Sequence, residues 1–298
     1  MTKTGFFAIL GKPNVGKSTL LNALVGEKIA IVSSKPQTTR NRITGVLTEG
    51  ENQYVFLDTP GMHKPKTKLG GYMMKTVGSV VGEVDAAIMV VEPEPHANER
   101  ELGLIEKLKK DGIPAILVIN KTDKSNPAAI AETIQYFASL HDFDSVIPIS
   151  ALKENGVEIV KEEVSKFLSE SVWFFPEDIA TDQSERRLAS EIIREKMLRL
   201  LSDEIPHGTA VVIEEFKDET SLLRIRAEIF CEREAHKRII IGKNGEMLKK
   251  IGSYAREDME KFFGVKVFLD LWVKVKENWR DSDFNLRDFG YDVKDLTE

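Results

Sequence analysis

Short apolar runs alternate with helix-like segments through the first half of the chain. The predicted strands are residues 6–10, 46–48, 55–57, 86–91, 116–119 and 146–149. The predicted helices are residues 17–25, 98–110, 127–140 and 157–168. Short continuous apolar runs are typical of strands buried on both faces, and intervening helices allow such strands to run parallel. The pattern predicts an α/β domain over residues 1–168, with a mostly parallel sheet, helices on both faces and a ligand at the carboxyl ends of the strands.

This periodicity breaks between residues 169 and 182, where clustered acids accompany the sequence Trp173-Phe174-Phe175-Pro176. We interpret residues 169–182 as a linker and expect its aromatic side chains to pack between two domains rather than to bind a base. Asp182 and Glu185 have the spacing of a capping box, which predicts a helix from there to about residue 201.

A different order of elements follows the linker. Alternating strands are predicted at residues 209–216 and 222–231, and a final strand at residues 266–276. Between them, helices are predicted at residues 235–240 and 246–262. The order α-β-β-α-α-β predicts an α+β domain over residues 183–276, followed by an acidic, turn-rich C-terminal tail over residues 277–298.

The composition agrees with two globular domains. The chain has 298 residues, of which 42% are apolar and 30% are charged. The single Cys231 excludes an internal disulfide and a cysteine-rich zinc site, and a reducing compartment fits. With no secretory leader and no run of 18 apolar residues, we expect a cytoplasmic protein, and peripheral contact with a membrane stays open.

Charge is segregated along the chain. The net charge is −6, which argues weakly against nucleic-acid binding. However, residues 233–256 contain seven basic and two acidic residues, whereas residues 277–298 contain three basic and seven acidic residues. A basic stretch confined to one domain predicts that an RNA ligand would be attracted there and repelled elsewhere.

A phosphate-binding loop is predicted between the first strand and the first helix, at Gly11-Lys12-Pro13-Asn14-Val15-Gly16-Lys17-Ser18. The spacing is G-x-x-x-x-G-K-[ST], in which the glycines permit turns that aim backbone N–H groups at phosphate oxygens. Lys17 can reach the β- and γ-phosphates, Ser18 can bind Mg²⁺, and the helix that continues through Thr19 points its positive end at the anion. The alternative is an ordinary glycine turn.

Three further segments follow predicted strands. Asp58-Thr59-Pro60-Gly61 offers a carboxylate for Mg²⁺ through water and, at Gly61, an N–H for a γ-phosphate. In Asn120-Lys121-Thr122-Asp123, the Asp123 carboxylate can accept two hydrogen bonds from guanine, which adenine cannot offer. The third segment, Ser150-Ala151-Leu152, can present an N–H to guanine O6. Each segment taken alone is also compatible with a polar turn.

In order and spacing, these segments resemble the guanine-nucleotide motifs of the Ras-like, translation-factor-related GTPases. Within that superfamily the chain is most similar to the TrmE-Era-like GTPases, and specifically to the Era family of bacterial ribosome-assembly GTPases. The resemblance rests on the phosphate loop, on Asp58 to Gly61, and on the sequences Pro36-Gln37-Thr38-Thr39-Arg40 and Ala189-Ser190-Glu191-Ile192-Ile193-Arg194-Glu195-Lys196. It implies that Thr39, or the adjacent Thr38, binds Mg²⁺ together with Ser18 and Asp58 when GTP is present, so that residues 33–42 form a nucleotide-sensing loop.

The resemblance also bears on hydrolysis. Ras carries a water-orienting Gln where this chain has Met62, and a thioether cannot orient a water. Related GTPases with Pro-Asn-Val in the phosphate loop use that Asn to hold K⁺, which points to Asn14 and a K⁺ cofactor; an Asn that caps its own turn is the alternative. The candidate catalytic residues are therefore Lys17, Thr39, Gly61 and Asn14, and residues 62–77 would be the second switch.

The second domain resembles a KH domain of the ribosomal protein S3-like type. Its I-G-x-x-G core is Ile241-Gly242-Lys243-Asn244-Gly245, where two glycines let the backbone approach a sugar-phosphate chain. A simple helix-helix turn is the alternative. We expect single-stranded RNA at Ile241 to Gly245 and at the neighbouring basic residues Lys237, Arg238, Lys249 and Lys250.

The function predicted from the resemblance is a GTP-hydrolysing switch that binds GTP and GDP and acts on the 30S ribosomal subunit at the 3′ end of 16S rRNA. We expect it to be a monomer. Two alternatives stay open at this point. One is a different P-loop nucleotidase that uses ATP, which Asp123 opposes. The other is an RNA-binding adaptor whose nucleotide site is only structural.

Overall fold

The computed structural model describes residues 1–80, 82, 84–202 and 204–292, and the chain divides into two compact units. The first unit holds residues 1–65 and 70–182, and the second holds residues 66–69 and 183–292. Within these ranges, two hydrophobic clusters lie in the first unit and one in the second. Across the described ranges, no helix has both the length and the apolar character needed to span a membrane.

The first unit is built on a mostly parallel sheet. Its strands are β1 (Lys3–Leu10), β2 (Ile43–Glu49), β3 (Asn52–Asp58), β4 (Ala86–Val91), β5 (Ala115–Ile119), β6 (Ser145–Pro148) and β7 (Ser169–Glu170). They are arranged in the order β2-β3-β1-β4-β5-β6, and β7 pairs with the start of β1. Among these described strands, only β2 on β3 and β7 on β1 are antiparallel. The predicted fold class is confirmed.

Helices cover both faces of this sheet. They are α1 (Lys17–Val25), α2 (Lys68–Val80), α3 (Glu99–Asp111), α4 (Pro127–Leu140) and α5 (Val157–Ser165). Along β1, Phe7 and Ile9 point into one hydrophobic cluster and Ala8 and Leu10 into the other, which explains why the strand is apolar at every one of these positions. Because β1, β3, β4 and β5 run parallel, their carboxyl ends meet along one edge of the sheet.

Several predicted boundaries need correction. Strand β2 starts three residues before the predicted run, because Ile43, Thr44 and Gly45 also pair with β3. Helix α3 starts at Glu99, with Asn98 as its N-cap, and α5 ends at residue 165 rather than 168.

Helix α2 was not predicted, because residues 62–77 are rich in Lys and Gly. The signal was nevertheless in the sequence. Leu69, Met73, Val77 and Val80 follow one another at helical spacing, and all four are buried.

Residues 169–182 lie along the strands of the first unit. Buried Gln53 accepts hydrogen bonds from the N–H groups of Phe174 (2.8 Å) and Phe175 (3.1 Å) and donates to Phe175 O (2.8 Å). The ring of Phe174 meets that of Phe6 edge-on at 5.1 Å, and Trp173 Nε1 donates to Glu51 O (3.2 Å). These aromatic residues thus contact the first unit's own strands.

The second unit has the predicted order α-β-β-α-α-β. Its elements are α6 (Glu185–Leu200), β8 (Ala210–Glu219), β9 (Leu222–Cys231), α7 (Glu234–Ile241), α8 (Glu246–Phe263), β10 (Lys266–Val275) and α9 (Asp283–Asp288). The sheet order is β10-β9-β8, with β10 parallel and β8 antiparallel to β9. The N-cap of α6 is Ser184, whose Oγ accepts from Arg187 N (3.3 Å), and not Asp182 as predicted.

The C-terminal tail packs on the second unit through Trp279. This side chain is fully buried, its Nε1 donates to Gly208 O (2.9 Å), and its ring meets Phe289 at 5.3 Å. Arg280 adds a two-point ion pair with Glu232 (3.1 and 2.6 Å). Of the predicted tail, residues 293–298 lie outside the described residues.

Candidate functional site

The loop from Gly11 to Ser18 joins the end of β1 to the start of α1. Both glycines of this loop have backbone conformations that favour glycine, and neither position has room for a side chain. A Cβ on Gly16, where φ is 99°, would lie 2.2 Å from Asn120 Nδ2, and a Cβ on Gly11 would lie 2.4 Å from Val90 O. Close packing against two neighbouring strand ends therefore explains both glycines.

Lys17 is buried beneath this loop. Its Nζ donates to Gly11 O (3.2 Å) and Lys12 O (3.1 Å). Burial lowers the pKa of Lys17 to about 8, although the nearby Asp58 carboxylate opposes the shift. A buried ammonium group held by carbonyl oxygens is a strong binding site for phosphate oxygens.

Three side chains from distant parts of the chain meet beside Lys17. Ser18 Oγ donates to Asp58 Oδ2 (2.6 Å), and Thr39 Oγ1 lies 2.8 Å from Ser18 Oγ and 3.4 Å from Asp58 Oδ2. Asp58 is completely buried, and among the described residues its Oδ1 has no hydrogen-bond partner. Burial raises the pKa of Asp58 to about 6, against the effects of Lys17 and of the two hydroxyl groups. By contrast, the Thr38 hydroxyl donates to Lys35 O (2.6 Å).

This donor set fits Mg²⁺, which prefers oxygen ligands and is commonly held by one or two carboxylates together with phosphate oxygens and water. The unpartnered Oδ1 of Asp58, as seen in the described part of the chain, is the observation that carries this fit. The geometry also separates the two candidate threonines, since Thr39 and not Thr38 places its hydroxyl beside Ser18 and Asp58.

The segments after β5 and β6 are tied to the phosphate loop by Asn120. Its Nδ2 donates to Val15 O (2.8 Å), and its Oδ1 accepts from Ala151 N (2.9 Å). Asp123 receives a hydrogen bond from Ser150 Oγ (2.7 Å), which is the main cause of its lowered pKa. The carboxylate is thereby kept ionised and oriented, as recognition of two guanine N–H groups requires. The Ala151 N–H must exchange its present partner if it is to bind guanine O6.

These segments surround a cleft of about 370 Å³, a size suited to a small-molecule ligand. Thirteen predicted residues line it, among them the alternative threonine Thr38: Pro13, Asn14, Gly16, Lys17, Ser18, Thr19, Thr38, Thr39, Gly61, Asn120, Lys121, Asp123 and Leu152. The other predicted nucleotide-binding residues are not among those that line the cleft: Gly11, Lys12, Val15, Asp58, Thr59, Pro60, Ser150 and Ala151. The sequence reasoning missed six lining residues, namely Ile31, Val32, Ser33, Ser34, Gln37 and Lys124. Of these, Ser33, Ser34 and Gln37 belong to the predicted nucleotide-sensing loop, and Gln37 also to the sequence Pro36-Gln37-Thr38-Thr39-Arg40 that carries the family resemblance; the other three belong to no predicted motif.

The residues around Gly61 explain why Met62 takes no part in the cleft. A Cβ on Gly61 would lie 2.6 Å from Pro13 Cα, so the two loops are in close contact. Met62 is buried in a hydrophobic cluster, and its N–H is directed at Gly11 O (3.3 Å). Asn14 lies on the cleft side, where its Nδ2 donates to Ser34 O (2.8 Å).

In the second unit, a tight turn joins α7 to α8. Gly242 has φ 75° and ψ 176°, and a Cβ there would lie 2.7 Å from Met247 Cβ, so only glycine fits. Asn244 and Gly245 also have positive φ values (53° and 78°). The turn thus presents backbone and the exposed Lys243 to solvent.

Beside this turn, α8 and β10 enclose a second cleft, of about 530 Å³. It is lined by Gly245, Leu248, Lys249, Gly252, Ser253, Arg256, Leu269 and Leu271. Of the predicted RNA-binding residues, only Gly245 and Lys249 line it. Lys237, Arg238, Ile241, Gly242, Lys243, Asn244 and Lys250 lie outside it, and Lys250 Nζ stands 5.9 Å from the centre of the Tyr254 ring. The other six lining residues were missed, because they are brought together only by the packing of α8 against β10.

Comparison with known proteins identifies the family of the chain. Residues 6–121 match the family model described as 50S ribosome-binding GTPase, and residues 204–280 match the KH domain model. GTPase Era of Clostridium kluyveri is 50% identical over 98% of this chain and over its own full length. GTPase Era of Clostridium botulinum is 48% identical, with 98% of this chain and 99% of the relative covered. The chain belongs to the Era family of GTPases.

Two solved structures of Era match this chain over nearly its whole length. They are a point variant of Aquifex aeolicus Era bound to GDP·AlF4⁻, and Era in complex with MgGDPNP and nucleotides 1506–1542 of 16S ribosomal RNA. Each has a TM-score of 0.94 and 40% sequence identity, and each match covers 98% of this chain and all of the other. The chain is therefore a GTPase that carries a KH domain, which removes both alternatives, a nucleotidase for ATP and an adaptor with a purely structural nucleotide site.

Proposed function

We propose that this GTPase binds 16S rRNA near its 3′ end and acts in the assembly of the 30S ribosomal subunit, in the cytoplasm and as a monomer. The observation that carries the proposal is the match over 98% of the chain to an Era structure that holds both a GTP analogue and nucleotides 1506–1542 of 16S rRNA. The cleft of the first unit and the turn beside Gly242 offer the corresponding chemistry in this chain.

In the proposed nucleotide site, the amides of the phosphate loop and Lys17 hold the phosphates, while Asp123 selects guanine. Ser18, Thr39 and Asp58 would hold Mg²⁺. The bound ion would neutralise charge on the β- and γ-phosphates. Lys17 moves no proton in this scheme. Its buried ammonium group stabilises the negative charge that develops on the phosphate oxygens as water attacks.

We assign the positioning of the γ-phosphate to Thr39 and Gly61. Both line the cleft, and each belongs to a segment whose hydrogen bonds would be lost with the γ-phosphate. Strand β2 follows directly on residues 33–42, and its Val46 N–H donates to Ala180 O (2.8 Å), while Thr181 Oγ1 donates to Thr44 O (2.7 Å). A change in the nucleotide-sensing loop can thus reach the segment that leads into the KH domain.

Asn14 is the proposed ligand of a K⁺ ion that assists hydrolysis. Because its Nδ2 is engaged with Ser34 O, its Oδ1 is the atom that would face a cation. Met62 is buried and its thioether cannot orient the attacking water, so hydrolysis must rely on another group. Backbone groups, an ordered water network or a residue supplied by the ribosome are the alternatives to a cation. Turnover in KCl and in NaCl at equal ionic strength tests this role, and equal rates would remove it.

RNA is proposed to follow the turn at residues 242–245 and the cleft between α8 and β10. Lys243, Lys249 and Arg256 would neutralise phosphates, and the apolar wall of Leu269 and Leu271 suits stacked bases. Helix α8 packs on the core of the second unit through Ile251, Ala255 and Met259. Lys249 and Arg256 on this helix, and Lys243 in the turn before it, are exposed.

The decisive experiment measures the affinity of an oligonucleotide matching the 3′ end of 16S rRNA in the presence of a GTP analogue and of GDP. A double variant, Lys243→Glu with Lys249→Glu, should weaken binding at least tenfold. The matched control is a second double variant, Lys261→Glu with Lys266→Glu, because both lysines are exposed, pair with Glu257 and Glu260 and do not line the cleft. Equal losses in the two variants would mean that RNA binds elsewhere. Gly242→Asp is a poor choice for this test, because the clash with Met247 would disturb the fold as well.

The same assay tests the coupling. Thr181→Val removes the hydrogen bond to Thr44 and should reduce the difference in RNA affinity between the two nucleotide states. Thr2→Val is the control, because the Thr2 hydroxyl binds the same segment at Ser171 O (2.7 Å), away from Thr181 in the sequence. If the difference in RNA affinity between the two nucleotide states is unchanged in the Thr181 variant, the contact between Thr181 and Thr44 does not carry the coupling.

A further inference from the structure

Glu92 lies between the two loops that the nucleotide site requires. It is the first residue after β4, and β4 stands between β1, which leads into the phosphate loop, and β5, which leads into Asn120 and Lys121. Because parallel strands end at the same edge of a sheet, a side chain at this position can reach both neighbouring loops.

The contacts of Glu92 follow this placement. Its Oε1 forms a short ion pair with Lys121 Nζ, and its Oε2 lies 3.9 Å from Lys12 Nζ. Lys121 Nζ also donates to Asn14 O in the phosphate loop (2.5 Å). One carboxylate thus connects the ammonium group of the guanine-recognition segment with that of the phosphate loop.

The partial burial of these side chains strengthens the ion pairs of Glu92. The side chains of Glu92, Lys121 and Lys12 are 26%, 29% and 23% exposed, whereas the second acid in this region, Glu94, is 60% exposed. Glu94 contacts Lys12, with 3.2 Å between Nζ and Oε2. Ion pairs between half-buried groups are less screened by solvent than exposed pairs, so Glu92 and Glu94 are expected to differ in effect.

The backbone of Lys121 adds a second reason. Its φ is 66°, a left-handed conformation that is uncommon for a residue other than glycine, so this position is stabilised by its surroundings. The ion pair with Glu92 and the bond to Asn14 O are side-chain contacts that hold Lys121 there. Loss of the ion pair would loosen both the base-binding segment and its attachment to the phosphate loop.

We propose that Glu92 is a positioning residue for nucleotide retention, acting mainly through Lys121. It holds the phosphate-binding and guanine-binding loops together, so that nucleotide leaves only when this connection opens. This inference rests on the nucleotide site proposed above, and it adds a determinant of the dissociation rate that none of the sequence motifs includes.

The test measures the dissociation of a fluorescent GDP and of a fluorescent GTP analogue from the full chain by stopped flow. Glu92→Gln keeps the size of the side chain and removes its charge, and it should accelerate both dissociations at least fivefold. Glu94→Gln is the matched control and should change them less than twofold. If Glu92→Gln and Glu94→Gln have the same effect, the proposal is overturned.

A double-mutant cycle distinguishes positioning from a general loss of structure. In a Lys121→Met background, Glu92→Gln should produce little further acceleration, because its partner is already absent. In a Lys12→Met background most of the acceleration should remain. Full acceleration in the Lys121→Met background would show that Glu92 does not act through Lys121. If the wild-type chain itself failed to bind the fluorescent nucleotides, the proposed nucleotide site would be wrong, whereas normal binding with an unaffected Glu92 variant would reject this inference alone.

Discussion

The nucleotide-free protein should carry an energetic penalty at Asp58, and this can be measured. Asp58 is fully buried, one of its oxygens has no hydrogen-bond partner within the described ranges, and burial raises its pKa from 3.8 to about 6. Asp58→Asn preserves the shape of the side chain and prevents its ionisation. We expect the variant to be the more stable protein at neutral pH when nucleotide and metal are removed.

The magnitude and its pH dependence follow from linkage. A shift of about 2 pKa units corresponds to about 3 kcal/mol at about 1.4 kcal/mol per unit. Because the pKa of Asp58 is raised in the folded state, the folded chain binds more protons than the unfolded chain between about pH 4 and pH 6. The stability contribution of this group is therefore present at about pH 4 and lost as the pH rises through 6. The gap between variant and wild type should be near zero at the acid end and approach about 3 kcal/mol above about pH 7.

The assay is urea unfolding of the EDTA-treated, nucleotide-free chain, followed by circular dichroism at several pH values. The transition of the first unit is the one that Mg²⁺ and GDP shift. Glu106→Gln is the control, because its carboxylate on α3 is exposed and water solvates its charge in both states. With Mg²⁺ and GDP added, the order should reverse, since the wild-type carboxylate then has a cation to neutralise it. A stability gap that is the same at about pH 5 and about pH 7.5, or a variant that is less stable at both, would refute the argument.

Three further outcomes are expected. Asp123→Asn should weaken GTP binding about a hundredfold or more and favour xanthosine triphosphate, because two charge-assisted hydrogen bonds to guanine are lost; calorimetry with both nucleotides checks this, and unchanged selectivity would contradict it. Gly242→Ala should destabilise the second unit by about 3 kcal/mol in urea, because the added Cβ meets Met247 and φ is positive. Gly264→Ala, with φ 69° and open space around it, should cost only about 1 kcal/mol. Equal losses in the two variants would mean that Met247 simply moves aside. Trp279→Ala should destabilise the second unit by about 3–5 kcal/mol, and Trp279→Phe, which mainly loses the hydrogen bond to Gly208 O, by about 1–2 kcal/mol. Thermal unfolding measures both losses. If neither variant loses stability, the C-terminal tail does not stabilise the second unit.

Much of the fold was accessible from the sequence, because it depends on local patterns. Strand β4 and helices α1 and α4 coincide with their predicted bounds, since each is a continuous apolar run or an amphipathic segment between clear end signals. Helix α2 was missed although its buried residues have helical spacing, because the segment is rich in lysine and glycine, and glycine is a poor helix former. The linker's hydrogen bonds to β2 and β3 were not predictable, since residues more than 120 positions apart in the chain form them.

The candidate sites divide in the same way. The order and spacing of the phosphate loop, of Asp58 to Gly61 and of Asn120 to Asp123 by themselves predicted a guanine nucleotide, because each motif is a short segment whose chemistry depends on its own residues. The family comparison then removed the alternative of a nucleotidase that uses ATP. The turn at residues 242–245 likewise indicated a KH domain. Only the tertiary structure decided that Thr39 rather than Thr38 joins Ser18 and Asp58, that Asn120 ties three loops together, and that Glu92 connects two lysines. Those contacts join residues far apart in sequence, and their distances depend on how the sheet brings strand ends together, which no local pattern specifies.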